Sequence, residues 1–166
     1  MRYIILFSAL LYLIVSIAPF SVEAQSGTTT GKSRIIVIGV HPDDCDSDAG
    51  GTTALLASMG HTVKFVAITN GDAGHQKIQG KALAERRYAE TQEVAKRLRE
   101  TYDVLDNRDG MLMPSLEVRL QIIVKIREWD ADVVIAPCSN DFQPNHRYTA
   151  VLVQDATYMV AIPYIA

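Results

Sequence analysis

The sequence predicts an α/β fold of Rossmann-like type, in which an open, mostly parallel sheet carries helices on both faces. From residue 34 onward, short apolar runs rich in Val and Ile alternate with segments of helical periodicity. Strands that are apolar along most of their length are typical of parallel sheets covered on both faces. The chain has 166 residues, of which 48% are hydrophobic, so we expect one domain with its own core.

The first half of this alternation predicts two strands and two helices. Arg34–Val40 and Thr62–Thr69 are apolar runs of strand length. Between them, Ala54–Met59 belongs to a helix that ends at Gly60. Lys81–Glu100 is a long charged helix with an apolar stripe at helical spacing. The stripe consists of Leu83, Tyr88, Val94, Ala95 and Leu98.

The second half repeats the pattern. Tyr102–Leu105 predicts a short strand, Leu116–Trp129 a helix, Asp132–Ala136 a buried strand and Tyr148–Val160 a fourth helix. In open sheets of this kind, ligands bind beyond the carboxyl ends of the strands. The loops expected at that edge are 41–51, 70–80, 106–115 and 137–147.

The N-terminal segment has the composition of a secretory signal. Arg2 precedes an apolar run from Ile4 to Ala18, Pro19 ends the run, and a short side chain follows at Ala24. A membrane-spanning helix is the alternative, but it needs about 20 apolar residues and this run is shorter. We therefore expect residues 1–24 to be cleaved, with no membrane span afterwards and export to the periplasm or the extracellular space.

The rest of the chain divides into a polar lead-in at 25–33 and the α/β domain at 34–166. The chain stops at Ala166, soon after Pro163, and four strands make a thin sheet. We therefore expect the domain to be C-terminally incomplete.

Charge and cysteine content restrict the partners. The formal net charge is −3, and binding to phosphates needs clustered Lys and Arg, so we expect no nucleic acid partner. The two cysteines, Cys45 and Cys138, either pair, as an exported protein allows, or remain free thiols.

The first predicted strand runs directly into His41-Pro42-Asp43-Asp44. Imidazole and carboxylate groups are ligands that suit zinc, and His41 and Asp44 are close enough in sequence to bind one ion. Asp43 then stays free to take a proton from a water at the site. The alternative is a helix N-cap, because Asp-rich segments often begin helices, and Asp46 or Asp48 would serve here.

Calcium is a second alternative, because Asp44, Asp46 and Asp48 alternate along the chain. A calcium loop of the EF-hand type that starts at Asp44 needs glycine at position 49 and glutamate at position 55. The sequence has Ala49 and Leu55, which disfavours calcium.

A second polar loop, Ser139–Arg147, follows the fourth predicted strand and reaches the same edge of a parallel sheet. His146 would complete three protein ligands and leave an open position, as in catalytic zinc sites. The alternative is a surface histidine that begins a helix.

Five short motifs follow one another along the chain. They are Ile38-Gly39-Val40-His41-Pro42-Asp43-Asp44, Gly50-Gly51-Thr52, Thr69-Asn70-Gly71-Asp72, Arg87 with Glu90, and Pro144-Asn145-His146-Arg147. In order and spacing, over roughly residues 34–163, they resemble the PIG-L/LmbE family of zinc-dependent de-N-acetylases. The resemblance implies a zinc site formed by His41, Asp44 and His146, with Asp43 as general base.

The segment Gln143–His146, which includes the last of these motifs, departs from the family pattern, which usually reads His-Pro-Asp-His. This chain has Gln143 in place of the first histidine and Asn145 in place of the aspartate. In the family, the first histidine stabilises the tetrahedral intermediate and protonates the leaving amine. Gln143 can donate a hydrogen bond to an oxyanion but cannot transfer a proton, and losing such a group costs about 10²–10⁴ in rate. Asn145 replaces a carboxylate that could orient a neighbouring histidine.

Several other residues on the same edge are candidates for substrate binding. Arg87 either faces the substrate or is a solvated helix charge, with Arg86 as its competitor. Asp72 either binds sugar hydroxyls or holds a turn. His75 either contacts substrate or replaces the missing acid. Asp109 and Gly110 share this edge, whereas His61 opens the second strand at the opposite edge and is expected to be structural.

These observations predict a zinc-dependent hydrolase that removes an acetyl or other acyl group from an N-acetylated amino sugar or glycoconjugate. The expected partner is therefore a small molecule or glycan that carries an N-acetyl group. The alternative is a degenerate member that binds sugar or metal without hydrolysis, because Gln143 replaces the usual catalytic histidine.

Overall fold

Strands and helices alternate strictly over residues 31–166, which are the residues that the computed structural model describes. The strands are β1 (Arg34–Gly39), β2 (Thr62–Thr69), β3 (Thr101–Asn107) and β4 (Val133–Ile135). The helices are α1 (Asp44–Ser58), α2 (Lys81–Leu98), α3 (Leu116–Trp129) and α4 (Pro144–Met159). The predicted signal at 1–24 and most of the lead-in at 25–33 lie outside the described residues.

The four strands form one parallel sheet in the order β3-β2-β1-β4. Alternate residues of β1 point to opposite faces, because side chains along a strand have a period of two. Ile36 and Ile38 are buried with residues of α3 and α4, while Ile35 and Val37 are buried with residues of α1 and α2. The prediction of an open α/β sheet with helices on both faces is confirmed.

The central strands β1 and β2 lie at the middle of the core. Ile36, Phe65 and Ile68 are fully buried, and truncating such a side chain to alanine typically costs about 2–5 kcal/mol. The edge strand β4 pairs on one side only and is shorter than predicted, and Val133 stays 44% exposed. The sheet is therefore best buried at β1 and β2, whose carboxyl ends lead into the motif loops.

Two helices begin earlier than the sequence pattern predicts. Helix α1 begins at Asp44, and Gly50 and Gly51 lie inside it, so the segment 41–51 is mostly helix rather than loop. Its weak apolar periodicity concealed the first turns from sequence analysis. Helix α4 begins at Pro144, where the fixed backbone of proline suits the first helical turn.

The helical start at Asp44 corrects two alternatives. Asp46 and Asp48 lie within α1, so neither is its N-cap, a position that Asp43 occupies without a capping side-chain hydrogen bond. Residues two apart on a helix do not face each other, so Asp44, Asp46 and Asp48 do not form a calcium loop.

The two cysteines are not paired. Cys45 is buried in the first turn of α1, and its burial raises the thiol pKa to about 12, whereas Cys138 is exposed. Within residues 31–166, no helix is both long enough and apolar enough to cross a membrane.

Candidate metal centre

The metal centre begins where β1 passes into α1. Gly39 ends the strand, and a Cβ atom there would lie 2.8 Å from Sγ of Cys45 and 3.0 Å from Cβ of Asp44. The absence of a side chain therefore allows the first turn of α1 to pack directly against the end of β1. This close packing holds the segment from His41 to Asp44 in place.

The carboxylate of Asp44 is held by hydrogen bonds from the backbone that precedes it. Its Oδ2 atom accepts hydrogen bonds from the backbone N–H groups of Val40, at 3.0 Å, and of His41, at 2.8 Å. The first turn of a helix also favours negative charge, because unpaired N–H groups point toward it. Asp44 is therefore oriented before any ligand binds.

Three side chains converge on one point. Oδ2 of Asp44 lies 3.2 Å from Nδ1 of His41 and 3.6 Å from Nε2 of His146. One ligating atom from each residue lies within 4.8 Å of the other two. Zinc bonds of about 2.0–2.1 Å in a tetrahedron place ligating atoms roughly 3.3 Å apart. The set therefore fits a zinc-sized ion with three protein ligands and one open position.

Helix α4 presents His146 from its first turn. The side chain of Gln143 caps this helix, since its Oε1 atom accepts a hydrogen bond from the backbone N–H of His146 at 3.0 Å. Nδ1 of His146 lies 3.3 Å from a carboxylate oxygen of Asp141. The ring is thus held on one side by Asp141 and presents Nε2 to Asp44.

Negative charge predominates around His41. Its burial would lower the imidazole pKa, but the hydrogen bond with Asp44 and the charges of Asp44, Asp109 and Asp43 raise the pKa above its usual value. Burial would likewise raise the pKa of Asp44, but its hydrogen bonds with His41 and the nearby histidines hold it below the usual range. The surroundings therefore favour a positive charge at this point.

Asp43 is not one of the three converging groups. Its side chain is 51% exposed, and Oδ2 lies 3.3 Å from Nη1 of Arg87. Arg87 also approaches Glu90 at 3.4 Å, whereas Arg86 pairs with Glu90 at 2.8 Å on the exposed face of α2. Of the two arginines, it is Arg87 that faces the site.

A cavity of about 280 Å³ adjoins the cluster and is lined in part by His41, Asp43, Arg87, Asp109 and Gln143. Gly71 also borders it with a positive φ of 69°, and a Cβ there would lie 2.9 Å from Cδ of Pro42. A larger cavity of about 700 Å³ lies between α2 and β3 and contains none of the converging groups. The smaller cavity is therefore the candidate reaction site.

Asp72 and His75 have other contacts. Both carboxylate oxygens of Asp72 accept hydrogen bonds from the loop after β3, from the backbone N–H of Asp109 and from Nε of Arg108, each at 3.0 Å. These contacts support the alternative that Asp72 holds a turn. Nδ1 of His75 accepts from the backbone N–H groups of Lys77 and Ile78, each at 3.1 Å, and its contact with substrate stays a prediction.

Asp109 contacts His41, and the sequence did not predict this contact. Oδ1 of Asp109 lies 3.1 Å from Nε2 of His41, and it accepts a hydrogen bond from Nδ2 of the buried Asn145 at 3.0 Å. The position of Asp109 after a strand indicated the correct edge of the sheet. Nothing in the sequence indicated which neighbour it would meet.

Comparisons with known proteins identify the family of the chain. The sequence model of the PIG-L family, described as GlcNAc-PI de-N-acetylase, matches residues 36–157. The diacetylchitobiose deacetylase of Thermococcus kodakarensis is 30% identical over 136 residues, which is 78% of this chain and 51% of that protein. The solved structure of N,N'-diacetylchitobiose deacetylase from Pyrococcus horikoshii is 31% identical, with a TM-score of 0.75 over 82% of this chain and 53% of that one.

A conserved protein of Thermus thermophilus is similar at 27% identity, with a TM-score of 0.71 over 80% of this chain and 59% of its own. The chain thus spans about half the length of the relatives that it matches.

Proposed function

The chain belongs to the PIG-L family, and on that premise we propose that it is a zinc-dependent hydrolase that removes the acetyl group from an N-acetylated amino sugar or glycoconjugate. The observation that carries the proposal is the convergence of His41, Asp44 and His146 beside a cavity that also contains Asp43. The two similar proteins named as diacetylchitobiose deacetylases support an N-acetylated sugar as substrate.

His41, Asp44 and His146 would hold the metal, and two imidazoles with one carboxylate are a ligand set that suits zinc. When bound, zinc supplies a Lewis acid that polarises the amide carbonyl and lowers the pKa of a water. The remaining chemistry belongs to side chains of the cavity.

Asp43 is the proposed general base. It lines the cavity, and its half-exposed carboxylate takes no part in holding the three converging groups together. Arg87 holds it from one side at 3.3 Å, which fixes the direction in which the carboxylate can accept a proton. A positioned carboxylate of this kind contributes about 10²–10⁴ to the rate.

Gln143 occupies the position of the missing histidine. Its carbonyl oxygen caps α4, so its amide N–H groups remain available to donate to the cavity that it lines. Such a donor can stabilise the negative charge that develops on the amide oxygen, and it is worth about 10²–10³ in rate when well placed.

The proposed reaction adds one water across the amide C–N bond. The water oxygen joins the acyl carbon, Asp43 takes up a proton from that water, and the bond from the acyl carbon to nitrogen breaks. Because Gln143 has no proton to transfer, Asp43 returns its proton to the leaving nitrogen. The products are acetate and a free amine. We further propose that the substrate is met outside the cytoplasm, because residues 1–24 have the composition of a secretory signal.

The test is release of primary amine from a panel of N-acetylated sugars, with N-acetylglucosamine and N,N'-diacetylchitobiose as first members. Zinc-loaded protein is compared with the same protein after chelation and after zinc is restored. We expect release that disappears on chelation and returns with zinc. Failure of zinc-loaded, folded protein to release amine from every member would reject the hydrolase.

A binding protein without turnover is the second candidate, and the capping contact of Gln143 favours it. In this candidate, the Gln143 side chain serves to cap α4 and replaces the catalytic histidine in position but not in chemistry. This candidate predicts protein that holds zinc and binds N-acetyl sugars in calorimetry but releases no amine. Amine release that appears only in the Gln143→His variant would support it, and turnover by the wild type would exclude it.

A further inference from the structure

We propose that Asp109 is a positioning residue that fixes the orientation and tautomer of His41, so that this histidine binds the metal through Nδ1. The inference rests on the proposed metal site but not on hydrolysis. It assigns a role to a residue that lies on the loop after β3, 68 positions from His41 in sequence.

The two nitrogens of His41 have different neighbours. Nδ1 lies 3.2 Å from Oδ2 of Asp44, on the side where His146 also converges. Nε2 points the other way and lies 3.1 Å from Oδ1 of Asp109. A neutral imidazole that binds a metal through one nitrogen carries its proton on the other, so Nε2–H donates to Asp109.

Asp109 is itself held at both its side chain and its backbone. Nδ2 of Asn145 donates to Oδ1 at 3.0 Å, and the backbone N–H of Asp109 donates to Asp72 at 3.0 Å. The Asp109 side chain is 12% exposed. A carboxylate this constrained can hold an imidazole ring in one orientation, as outer partners of metal-binding histidines do.

The residue at position 145 helps to hold Asp109. Asn145 is buried and offers an N–H donor to Oδ1. A carboxylate at 145 would offer an acceptor there instead of this donor. Asn145 therefore holds Oδ1 of Asp109 in place as an acceptor for Nε2–H of His41. The same replacement that departs from the family pattern thus supports the metal ligand that follows β1.

The test measures zinc affinity of metal-free protein by competition with a chromophoric chelator. Removal of an outer partner of a metal ligand typically weakens binding about 10–100-fold, and we expect that loss for Asp109→Asn and Asp109→Leu. Asp109→Glu should recover part of it. Circular dichroism and thermal unfolding establish that each variant is folded.

Asp106→Asn is the matched control. Asp106 lies near the end of β3 and accepts a hydrogen bond from Nδ2 of Asn70 at 2.8 Å, so it ties this strand to the loop after β2. Its side chain does not contact His41. We expect unchanged zinc affinity in this variant. An equal loss of zinc affinity in Asp106→Asn and Asp109→Asn would mean that Asp109 only stabilises the loop, and it would overturn the proposal.

A second readout reports the tautomer directly. Long-range proton–nitrogen NMR spectra of zinc-loaded wild type should show His41 protonated at Nε2, and Asp109→Leu should shift it toward the other tautomer. An unchanged tautomer together with unchanged zinc affinity would reject the inference. Because both readouts are independent of amine release, loss of the hydrolase proposal would leave this result intact, and the reverse also holds.

Discussion

The two ends of the sheet both concentrate charged and aromatic side chains, but they do so in different ways. At the amino end, Nζ of Lys64 and Nζ of Lys125 approach the same carboxylate oxygen of Asp103, at 3.0 and 3.2 Å. The guanidinium of Arg34 lies over the ring of Trp129, 5.1 Å from its centroid. His61 also lies here and accepts a hydrogen bond from the backbone N–H of Ser33, which agrees with its expected structural role. The carboxylate of Asp103 and the ring of Trp129 thus each have cationic partners from within the chain.

At the carboxyl end, carboxylates outnumber cations. Asp44, Asp109 and Asp141 surround His41 and His146, and the carboxylates of all three have only imidazoles and neutral N–H groups as partners. Residue type alone therefore does not distinguish a structural ion network from a binding site. The distinguishing feature is a cluster whose negative charge the chain itself leaves uncompensated.

The largest expected effect is a loss of hydrolysis at the carboxyl end of the sheet while the metal site there stays intact. Asp43→Asn removes the proposed base and should lower the rate of amine release by about 10²–10⁴. Zinc content per protein, measured by elemental analysis, should not change, because Asp43 is not among the converging ligands. Asp48→Asn, an exposed carboxylate on the same helix, is the control and should keep full activity. Normal turnover by Asp43→Asn would show that the base is assigned wrongly.

Zinc should stabilise the folded protein by binding at the carboxyl end of the sheet. A ligand that binds only the folded state at about 1,000 times its Kd adds about 4 kcal/mol, which corresponds to a rise in Tm of roughly 10 °C. His146→Ala should abolish that zinc-dependent rise in thermal unfolding, whereas Asp103→Asn, at the amino end, should keep it. A rise that persists in His146→Ala would mean that zinc binds elsewhere.

A smaller effect, on the free energy of unfolding, is expected when the ion cluster at the amino end of the sheet is disrupted. Asp103→Asn removes the shared partner of Lys64 and Lys125 and should cost about 1 kcal/mol in denaturant unfolding, since the cluster is only partly buried. Zinc affinity should remain at the wild-type value. The control is Asp130→Asn, whose ion pair with Arg34 is long, at 4.0 Å, and solvent-exposed, so that its stability should not change measurably. Equal costs in the two variants would contradict a structural role for the cluster around Asp103.

The smallest expected effect is on how the free energy of unfolding decreases at acid pH. Burial would raise the pKa of Asp103, but hydrogen bonds from Lys64 and Lys125 hold it below its usual range. The stabilisation from this carboxylate is therefore complete above the unfolded pKa of about 3.9 and is lost as the pH falls through the lower folded pKa. Between neutral pH and pH 3, the stability of Asp103→Asn should fall less steeply than that of the wild type. Identical slopes would show that Asp103 does not contribute to acid unfolding.

Features that depend on neighbouring residues could be read from the sequence. The apolar runs of β1 and β2 predicted buried parallel strands, because both faces of such strands are covered. His41 and Asp44 are three residues apart after a strand, so their proximity needed no knowledge of the rest of the fold. His146 was expected nearby because the carboxyl ends of parallel strands share one edge.

Features that depend on packing between distant segments required the tertiary structure. The sequence could not distinguish Arg87 from Arg86, because the rotation of α2 against the sheet decides which arginine meets Asp43. Nor could it assign both oxygens of Asp72 to the loop after β3.

The pairing of Asp109 with His41 depends on the strand order β3-β2-β1-β4 and on the path of two loops. Local spacing determines what lies within one strand or one helical turn, whereas contacts between loops follow from how the strands are ordered and how the helices pack. The sequence by itself therefore determined the fold class and the ligand candidates. Only the tertiary structure decided which side chains hold those ligands in place.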